Sequence, residues 1–283
     1  MNRILLKSWL MCFVFSITCN SVSGLVSPKA SATSVKPQSR SRPRSMAASL
    51  FLPTPALAFK VATAVPTMYS LLSLSEYFTH RVYQHADWNK NALIQFCASL
   101  ILRNQGKGHK IRGGGHVEHH AETLDDMSLR SDERWKTSPA ALSLNSDPYR
   151  GTAFTWPVTF VMFLQLLITC VPIMGIMGWS PLATIGWIVP SLLAHTLVWN
   201  TIHPAMHGLQ DPLFKEGPPG KLLSCYRNSK LFKFLEMNHV GHHVVGGQGN
   251  YNVCCPGMDH VFGTWVPEKV WRAKVDPKFA HLY

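Results

Sequence analysis

The sequence predicts an all-α integral membrane protein built as a bundle of about three to four transmembrane helices. Two observations support this fold class. Hydrophobic residues make up 46% of the 283-residue chain and charged residues only 15%, a balance typical of chains that place helices in lipid. The apolar residues also form separate segments, and roughly 20 consecutive apolar residues are enough for one helical crossing.

Four apolar segments define the predicted layout. Three of them are long enough to cross a membrane, and they run over residues 56–74, 154–176 and 182–199. The remaining segment, 92–102, is too short to cross comfortably, so we expect it to lie in the interface or to form a buried helix. Gly178 and Pro181 mark a tight turn between the last two segments. These two segments are therefore predicted to form a hairpin.

Ten of the 14 histidines fall into four short motifs, H-x4-H, H-x2-H-H, H-x3-H and H-x2-H-H. They are His80, His85, His116, His119, His120, His203, His207, His239, His242 and His243. Residues three and four apart share one face of a helix, so each H-x2-H-H motif is predicted to direct three imidazoles towards one point. His80 and His85 are five apart, so they need a helix end or else serve two different metals.

The histidine motifs point to a metal centre. Neutral imidazole suits first-row transition metals such as iron. Ten imidazoles are too many for one ion, but they fit two metals with four to six ligands each. The alternative is that the histidines are ordinary structural residues, but two H-x2-H-H motifs with two further pairs are hard to produce by chance. The predicted fold therefore includes a membrane-proximal cap in which histidines ligate two metal ions.

The predicted crossings place all four motifs on one face of the membrane. The first segment crosses the membrane once. The two segments of the hairpin then cross away and back, so the chain returns to the side on which the first segment ends. That side also holds a group of basic residues, Arg103, Lys107, Lys110, Arg112, Arg130, Arg134 and Lys136. The hairpin turn opposite has no basic residue. This asymmetry agrees with the positive-inside rule and predicts a cytosolic or stromal face.

The N-terminus has the composition of a targeting sequence. Residues 1–45 contain seven Lys or Arg and no acid, so the net charge of +12 arises largely there and does not indicate nucleic-acid binding. Residues 1–24 are signal peptide-like, and residues 25–45 are transit peptide-like and expected to be disordered. Residues 46–283 are predicted to form the integral-membrane domain. The alternative is a signal anchor followed by a basic linker.

The cysteines do not predict a structural framework. The chain has seven, without regular spacing, so no set of disulfides is indicated. No C-x-x-C motif is present, so the sequence does not predict a zinc site of thiolates.

The order of the histidine motifs resembles the fatty acid hydroxylase superfamily, which includes sterol desaturases, methyl oxidases and fatty acid 2-hydroxylases. The C-terminal tail also resembles the pattern of this family. It contains Asn250-Tyr251-Asn252 followed by Asp259-His260-Val261-Phe262-Gly263-Thr264. Asn252 replaces a small residue of the family pattern and His260 replaces a basic one. His260 is either an added ligand or a tolerated variant, and we favour the variant. The resemblance covers roughly residues 60–270, with long stretches between His85 and His116 and between His207 and His239 that are expected to hold loops bordering the substrate entrance.

The resemblance implies a membrane di-iron oxidase in which the ten histidines bind two iron ions and O2 is a co-substrate. Such an enzyme hydroxylates or desaturates a lipid, here an acyl chain, a sterol or a carotenoid. Because no H-P-G-G haem-binding motif is present, electrons are expected from a separate donor, ferredoxin or cytochrome b5. The two-part N-terminus resembles that of algae whose plastids lie inside the endomembrane system, which favours a plastid membrane over the endoplasmic reticulum.

Two other classes of protein compete with this interpretation. A histidine-rich metal transporter would have polar residues along a path through the membrane, whereas the apolar segments are nearly free of charge and His195, within the last of them, is the only feature in its favour. A zinc hydrolase would usually contain H-E-x-x-H, whereas the H-V-E-H-H motif places Glu118 differently.

Nearby carboxylates are further candidates to orient the imidazoles: Glu118, Glu122, Asp125 and Asp126.

Overall fold

The computed structural model describes residues 55–93, 95–96, 113–145 and 147–283. Within these ranges the chain is helical and forms no strand, as the predicted fold class requires. The signal peptide-like and transit peptide-like segments, 1–24 and 25–45, lie outside the described residues, as does most of the short apolar segment 92–102.

Three of the described helices are long and apolar enough to cross a membrane. Helix α1 spans Pro55–Tyr77 and continues without interruption into a π-helical turn, Phe78–Gln84. The other two candidate spans are α5 (Trp156–Ile176) and α6 (Pro181–Met206), which follow shorter helices in the chain. Helix α6 runs beyond the predicted end at residue 199, because the polar residues that follow are buried against protein rather than exposed to lipid.

The three long helices are arranged as one single crossing and one hairpin. The Lys60 ammonium near the start of α1 donates a hydrogen bond to the carbonyl of Gly178, in the turn between α5 and α6. The opposite ends of α1 and α6 therefore lie together at the other end of the bundle. Buried apolar side chains, among them Met68, Met162 and Ile188, fill the space between the helices.

Shorter helices cover the end of the bundle at which α1 and α6 finish. They are α2 (His116–Glu122), α3 (Glu133–Lys136), α4 (Pro139–Leu144), α7 (Lys230–Val244), α8 (Met258–Val261) and α9 (Glu268–Arg272). Helix α7 is capped by the preceding residue, Ser229, whose hydroxyl accepts a hydrogen bond from the Phe232 amide. It packs against both α6 and α9. The histidine motifs lie on the π-helical turn that follows α1, on α2, at the end of α6 and on α7.

Candidate metal centre

The ten histidines named from the sequence meet in one buried cluster at this end of the bundle. Five of them form a group whose possible ligand nitrogens all lie within 4.8 Å of one another; we call it the five-histidine group, His80, His85, His116, His120 and His242. A four-histidine group meets the same criterion and contains His119, His203, His207 and His243. His239 lies beside the second group, with its Nε2 atom 3.1 Å from that of His243.

Each H-x2-H-H motif divides its side chains between the two groups, which corrects the expectation that its three imidazoles meet at one point. His116 and His120 are four residues apart on α2 and join the five-histidine group, whereas His119 joins the four-histidine group. On α7, His242 and His243 are likewise divided. Successive helical residues point about 100° apart, so neighbouring histidines reach different groups although they share a motif.

The π-helical turn explains how His80 and His85 reach the same group. In this wider turn an amide donates to the carbonyl five residues earlier rather than four. The His85 amide donates in this way to the His80 carbonyl at 2.9 Å. Residues five apart thereby come onto one face. The two side chains belong to the same five-histidine group, so they could share one ion.

Backbone carbonyls fix the orientation of four imidazoles. Each of these histidines places its Nδ1 atom at hydrogen-bond distance from one carbonyl oxygen. The pairs are His80 with Tyr251 at 2.5 Å, His116 with Gly151 at 2.7 Å, His207 with Met127 at 2.8 Å and His242 with Gly249 at 2.5 Å. Because a carbonyl can only accept, Nδ1 carries the proton in each ring. The Nε2 atom of each neutral ring is left with its lone pair.

These Nε2 lone pairs point at one another. The Nε2 atoms of His80 and His116 are 2.8 Å apart, although both rings already use their proton at Nδ1. Two lone pairs at this distance repel each other unless a proton or a metal cation lies close to both. Similar approaches recur at 3.0 Å between His242 and both His85 and His120, and at 3.2 Å between His119 and both His203 and His207. The donor set therefore fits metal cations.

Burial keeps the imidazoles neutral. It lowers the pKa values of His116 and His207 to about 4 and that of His242 to about 3. The pKa values of His119, His120, His239 and His243 also lie well below the ordinary value, first because of burial and then because of neighbouring imidazoles. Since only the neutral ring has a lone pair for a metal, this environment favours ligation at neutral pH.

A glycine makes room for the least buried member of the five-histidine group. Gly247 has a φ of +72°, and a Cβ atom built there would lie 2.4 Å from Cε1 of His85. A side chain at this position would have to displace the imidazole. The adjacent Gly246 has a similar φ of +66° but nothing within 4 Å of such a Cβ. Gly247 is therefore part of the wall that positions His85.

The C-terminal tail is held against α1 by buried carboxylates. Asp259 accepts hydrogen bonds from the amides of Tyr251 and Asn252 at 3.0 and 2.7 Å, and from the Thr264 hydroxyl at 2.7 Å. Glu76, on α1, accepts from the amides of residues 253–255. These contacts fix the Tyr251 carbonyl that orients His80. The tail motif that contains Tyr251 and Asp259 thus positions His80. The sequence of the motif did not predict this role.

Several sequence candidates lie outside the two groups. His260 is exposed, packs on Trp265 and belongs to neither histidine group. Among the described residues, no hydrogen bond joins a cluster histidine to the carboxylates proposed to orient them, Glu118, Glu122, Asp125 and Asp126. Asp125 instead accepts from the Asp276 amide. The groups that orient the rings are backbone carbonyls, which every residue possesses, so no sequence pattern could have identified them.

A third, smaller set of possible ligands lies within the bundle. Glu76, His195 and Cys254 are buried, and their ligand atoms lie within 4.8 Å of one another. The sequence had singled out His195 but gave no reason to connect it with the other two, which come from α1 and from the tail.

Comparisons with protein-family models, with curated proteins and with solved structures found no match. Fold and site together define a class: a helical membrane protein with three candidate spanning helices and histidine groups that could hold metal ions.

Proposed function

We propose that this protein is a membrane di-iron oxidase that uses O2 to hydroxylate or desaturate a lipid. The observation that carries the proposal is the pair of histidine groups in which Nε2 atoms converge, with both Nε2 atoms proton-free at His80 and His116, 2.8 Å apart. One iron would lie in each group. Imidazole-rich sites suit iron, and the resemblance of the motif order to the fatty acid hydroxylase superfamily supports oxygen chemistry.

The protein residues would orient the ligands and exclude water. Bound iron would supply the reduction of O2 by external electrons and the removal of hydrogen from an unactivated C–H bond. Carbonyls such as those of Tyr251 and Gly151 hold the rings in the tautomer that presents Nε2. Burial of His80, His116, His119 and His203 keeps bulk water away from the reacting atoms. Substrate placement would decide between an alcohol and an alkene.

A cavity beside the five-histidine group could receive a hydrocarbon chain. It has a volume of about 370 Å³ and is lined by Tyr77, Phe78, Val82, Trp88 and Phe262 together with the polar residues Arg81, Asp87 and Asn91. The Tyr77 ring packs edge-on against that of Tyr251, with centroids 5.5 Å apart, and Tyr251 in turn packs on His242 at 5.5 Å. One aromatic ring therefore separates the cavity wall from the histidines, which supports a lipid-like substrate.

The decisive experiment uses the full-length chain purified in detergent. Elemental analysis should find two irons per chain, one for each group. Incubation with ¹⁸O2, a lipid extract and either reduced ferredoxin or reduced cytochrome b5 should yield a lipid that carries ¹⁸O or has lost two hydrogens. Protein that binds zinc tightly, contains no iron and hydrolyses a lipid without O2 would overturn the proposal in favour of a zinc hydrolase.

One observation favours a second candidate, a metal transporter. Glu76 and His195 lie within candidate spans and, with Cys254, form a polar group next to the histidine cluster, as a path for metal ions would require. Reconstitution into liposomes loaded with a metal-sensitive dye tests this function directly. Metal uptake that depends on His195 but needs no O2 would support the transporter, and absence of uptake by protein that retains its metal would exclude it.

A further inference from the structure

A buried polar group lies one layer deeper in the bundle than the ten histidines. Glu76 lies near the end of α1, four residues and about one helical turn before His80 in the π-helical turn. His195 precedes His203 by eight residues on α6, about 12 Å. The Trp199 ring lies between the layers, with its centroid 6.4 Å from that of His195 and 5.3 Å from that of His203. The deeper group shares no residue with the two histidine groups.

Cys254 is brought into this layer by Glu76 itself. The carboxylate accepts hydrogen bonds from the amides of Val253 at 2.8 Å, Cys254 at 2.7 Å and Cys255 at 2.9 Å, and a longer one from the Asn252 side chain at 3.3 Å. These bonds fold the tail onto α1. As a result, the Cys254 sulfur lies within 4.8 Å of both a Glu76 oxygen and a His195 nitrogen.

Glu76 and His195 form a buried polar pair. Four N–H groups donate hydrogen bonds to the Glu76 carboxyl group. The Glu76 side chain and that of His195 are fully buried, and a buried polar atom without a hydrogen-bond partner is unfavourable. The Nε2 atom of His195 is 3.3 Å from a Glu76 oxygen, yet neither ring nitrogen has a hydrogen-bond partner among the described residues.

We propose that Glu76, His195 and Cys254 bind one metal ion of the class that prefers thiolate and imidazole, for which Zn²⁺ is the reference. On binding, the Cys254 thiol loses its proton, and thiolate and carboxylate together balance the two charges of the ion. His195 supplies the nitrogen ligand. The sequence did not predict this site because it has no C-x-x-C motif and its ligands come from three separate segments.

This site does not depend on the proposed oxidase function, since it uses none of the ten histidines. An oxidase could use the ion to stabilise the junction between α1, α6 and the tail. A transporter could use it as an intermediate binding site for the transported ion. The metal-binding experiment is the same in both cases.

Cobalt reports on the site, because Co²⁺ bound to a thiolate gives a charge-transfer absorption in the near ultraviolet that Co²⁺ bound to imidazole alone lacks. Full-length protein in detergent is stripped with a chelator and titrated with Co²⁺. We expect the wild-type protein to show the thiolate band with a stoichiometry of one per chain. The variants Cys254→Ser and His195→Ala should each lose the band, or weaken cobalt binding at this site at least tenfold.

A matched control separates the site from general effects on the bundle. Cys170 is another buried cysteine, on α5 and outside all three groups, so Cys170→Ser should keep the band. Helix content measured by circular dichroism shows whether each variant is folded. A wild-type protein without the band, or a folded Cys254→Ser variant with an unchanged band, would overturn the proposal.

The same titration distinguishes this inference from the proposed function. Zinc retained at the thiolate site by protein whose histidine groups bind no metal would support the inference and contradict the oxidase. Two bound irons without the thiolate band would support the oxidase and contradict the inference.

Discussion

Nδ1 of His80 lies 2.5 Å from the carbonyl oxygen of Tyr251, and this hydrogen bond ties the first histidine motif to the C-terminal tail. The two residues are 171 positions apart in the chain. Helix α1 and the tail must therefore be docked before His80 can present its Nε2 atom to the five-histidine group. Metal binding by this group should accordingly be sensitive to changes in the tail that touch no imidazole.

Asp259→Asn tests the dependence of the metal centre on the tail. The amide cannot accept from Tyr251, Asn252 and Thr264 together, since one of its two polar atoms is a donor. The Tyr251 carbonyl should shift, and metal affinity should fall by roughly 10- to 100-fold, as is typical when a group that orients a ligand is lost. Isothermal titration with Fe²⁺ under anaerobic conditions measures this. Asp276→Asn, on an exposed loop, is the control and should bind normally.

Gly247→Ala should displace His85 while leaving the four-histidine group intact. The new Cβ would lie 2.4 Å from the His85 ring. Gly246→Ala is the matched control, because its positive φ imposes a similar backbone strain, roughly 1–2 kcal/mol, without any contact. Both variants should lose similar stability in thermal unfolding, but only Gly247→Ala should lose metal. Equal metal loss in the two variants would show that backbone strain, rather than the His85 contact, is responsible.

His119→Ala should disable the four-histidine group. The Nε2 atom of His119 lies 3.2 Å from those of both His203 and His207, so its removal leaves a gap among the converging ligands. We expect at least one of the two irons to be lost and oxidised lipid to fall below detection, with unchanged membrane insertion. Elemental analysis and lipid mass spectrometry provide the measurement. His260→Ala should retain iron and activity, because that side chain is exposed on α8.

The metal-free protein should lose stability in acid. Burial lowers the pKa values of His116 and His207 to about 4, whereas in the unfolded chain they would be about 6.5. The unfolded state therefore binds protons first as the pH falls. The contribution of these rings to stability is complete above pH 6.5 and is lost progressively down to about pH 4. Thermal unfolding after chelation should follow this course, and bound metal should move the loss to lower pH. A flat profile between these pH values would contradict it.

Val82→Trp should fill the cavity beside the five-histidine group without affecting the metals. Val82 lines this cavity together with Phe78 and Trp88. If a lipid chain enters there, the variant should raise KM at least tenfold or shift the preferred chain length, with unchanged iron content. Steady-state assays on lipids of several lengths measure both effects. Val270→Trp places the same side chain at an exposed position of α9 and should behave like the wild type.

The sequence was sufficient for the bundle and for the identity of the clustered histidines. Apolar segments long enough to cross a membrane predicted α1, α5 and α6, because their composition alone distinguishes them from surface helices. The histidine motifs predicted the residues that meet, because imidazoles at helical spacing are rare outside such sites. The targeting segments, 1–24 and 25–45, remain predictions.

The geometry within the cluster could not be predicted. The π-helical turn that unites His80 and His85 depends on one extra residue per turn, for which the letters of Phe78–Gln84 give no sign. The acceptors that orient the rings are backbone carbonyls of Met127, Gly151 and Gly249, and carbonyls have no side-chain signature. The role of Glu76 could not be predicted either, because its partners lie in the tail, far away in the sequence.

The division of each H-x2-H-H motif between the two groups has a consequence for how metal is loaded. Helices α2 and α7 both contribute to both groups, so an ion bound in one group would also restrict the helices that carry ligands of the other. The second ion then meets a smaller entropic cost than the first, and the two binding events are thermodynamically linked. At half the saturating amount of metal, the population should therefore divide into empty and doubly loaded molecules, with few that hold a single ion.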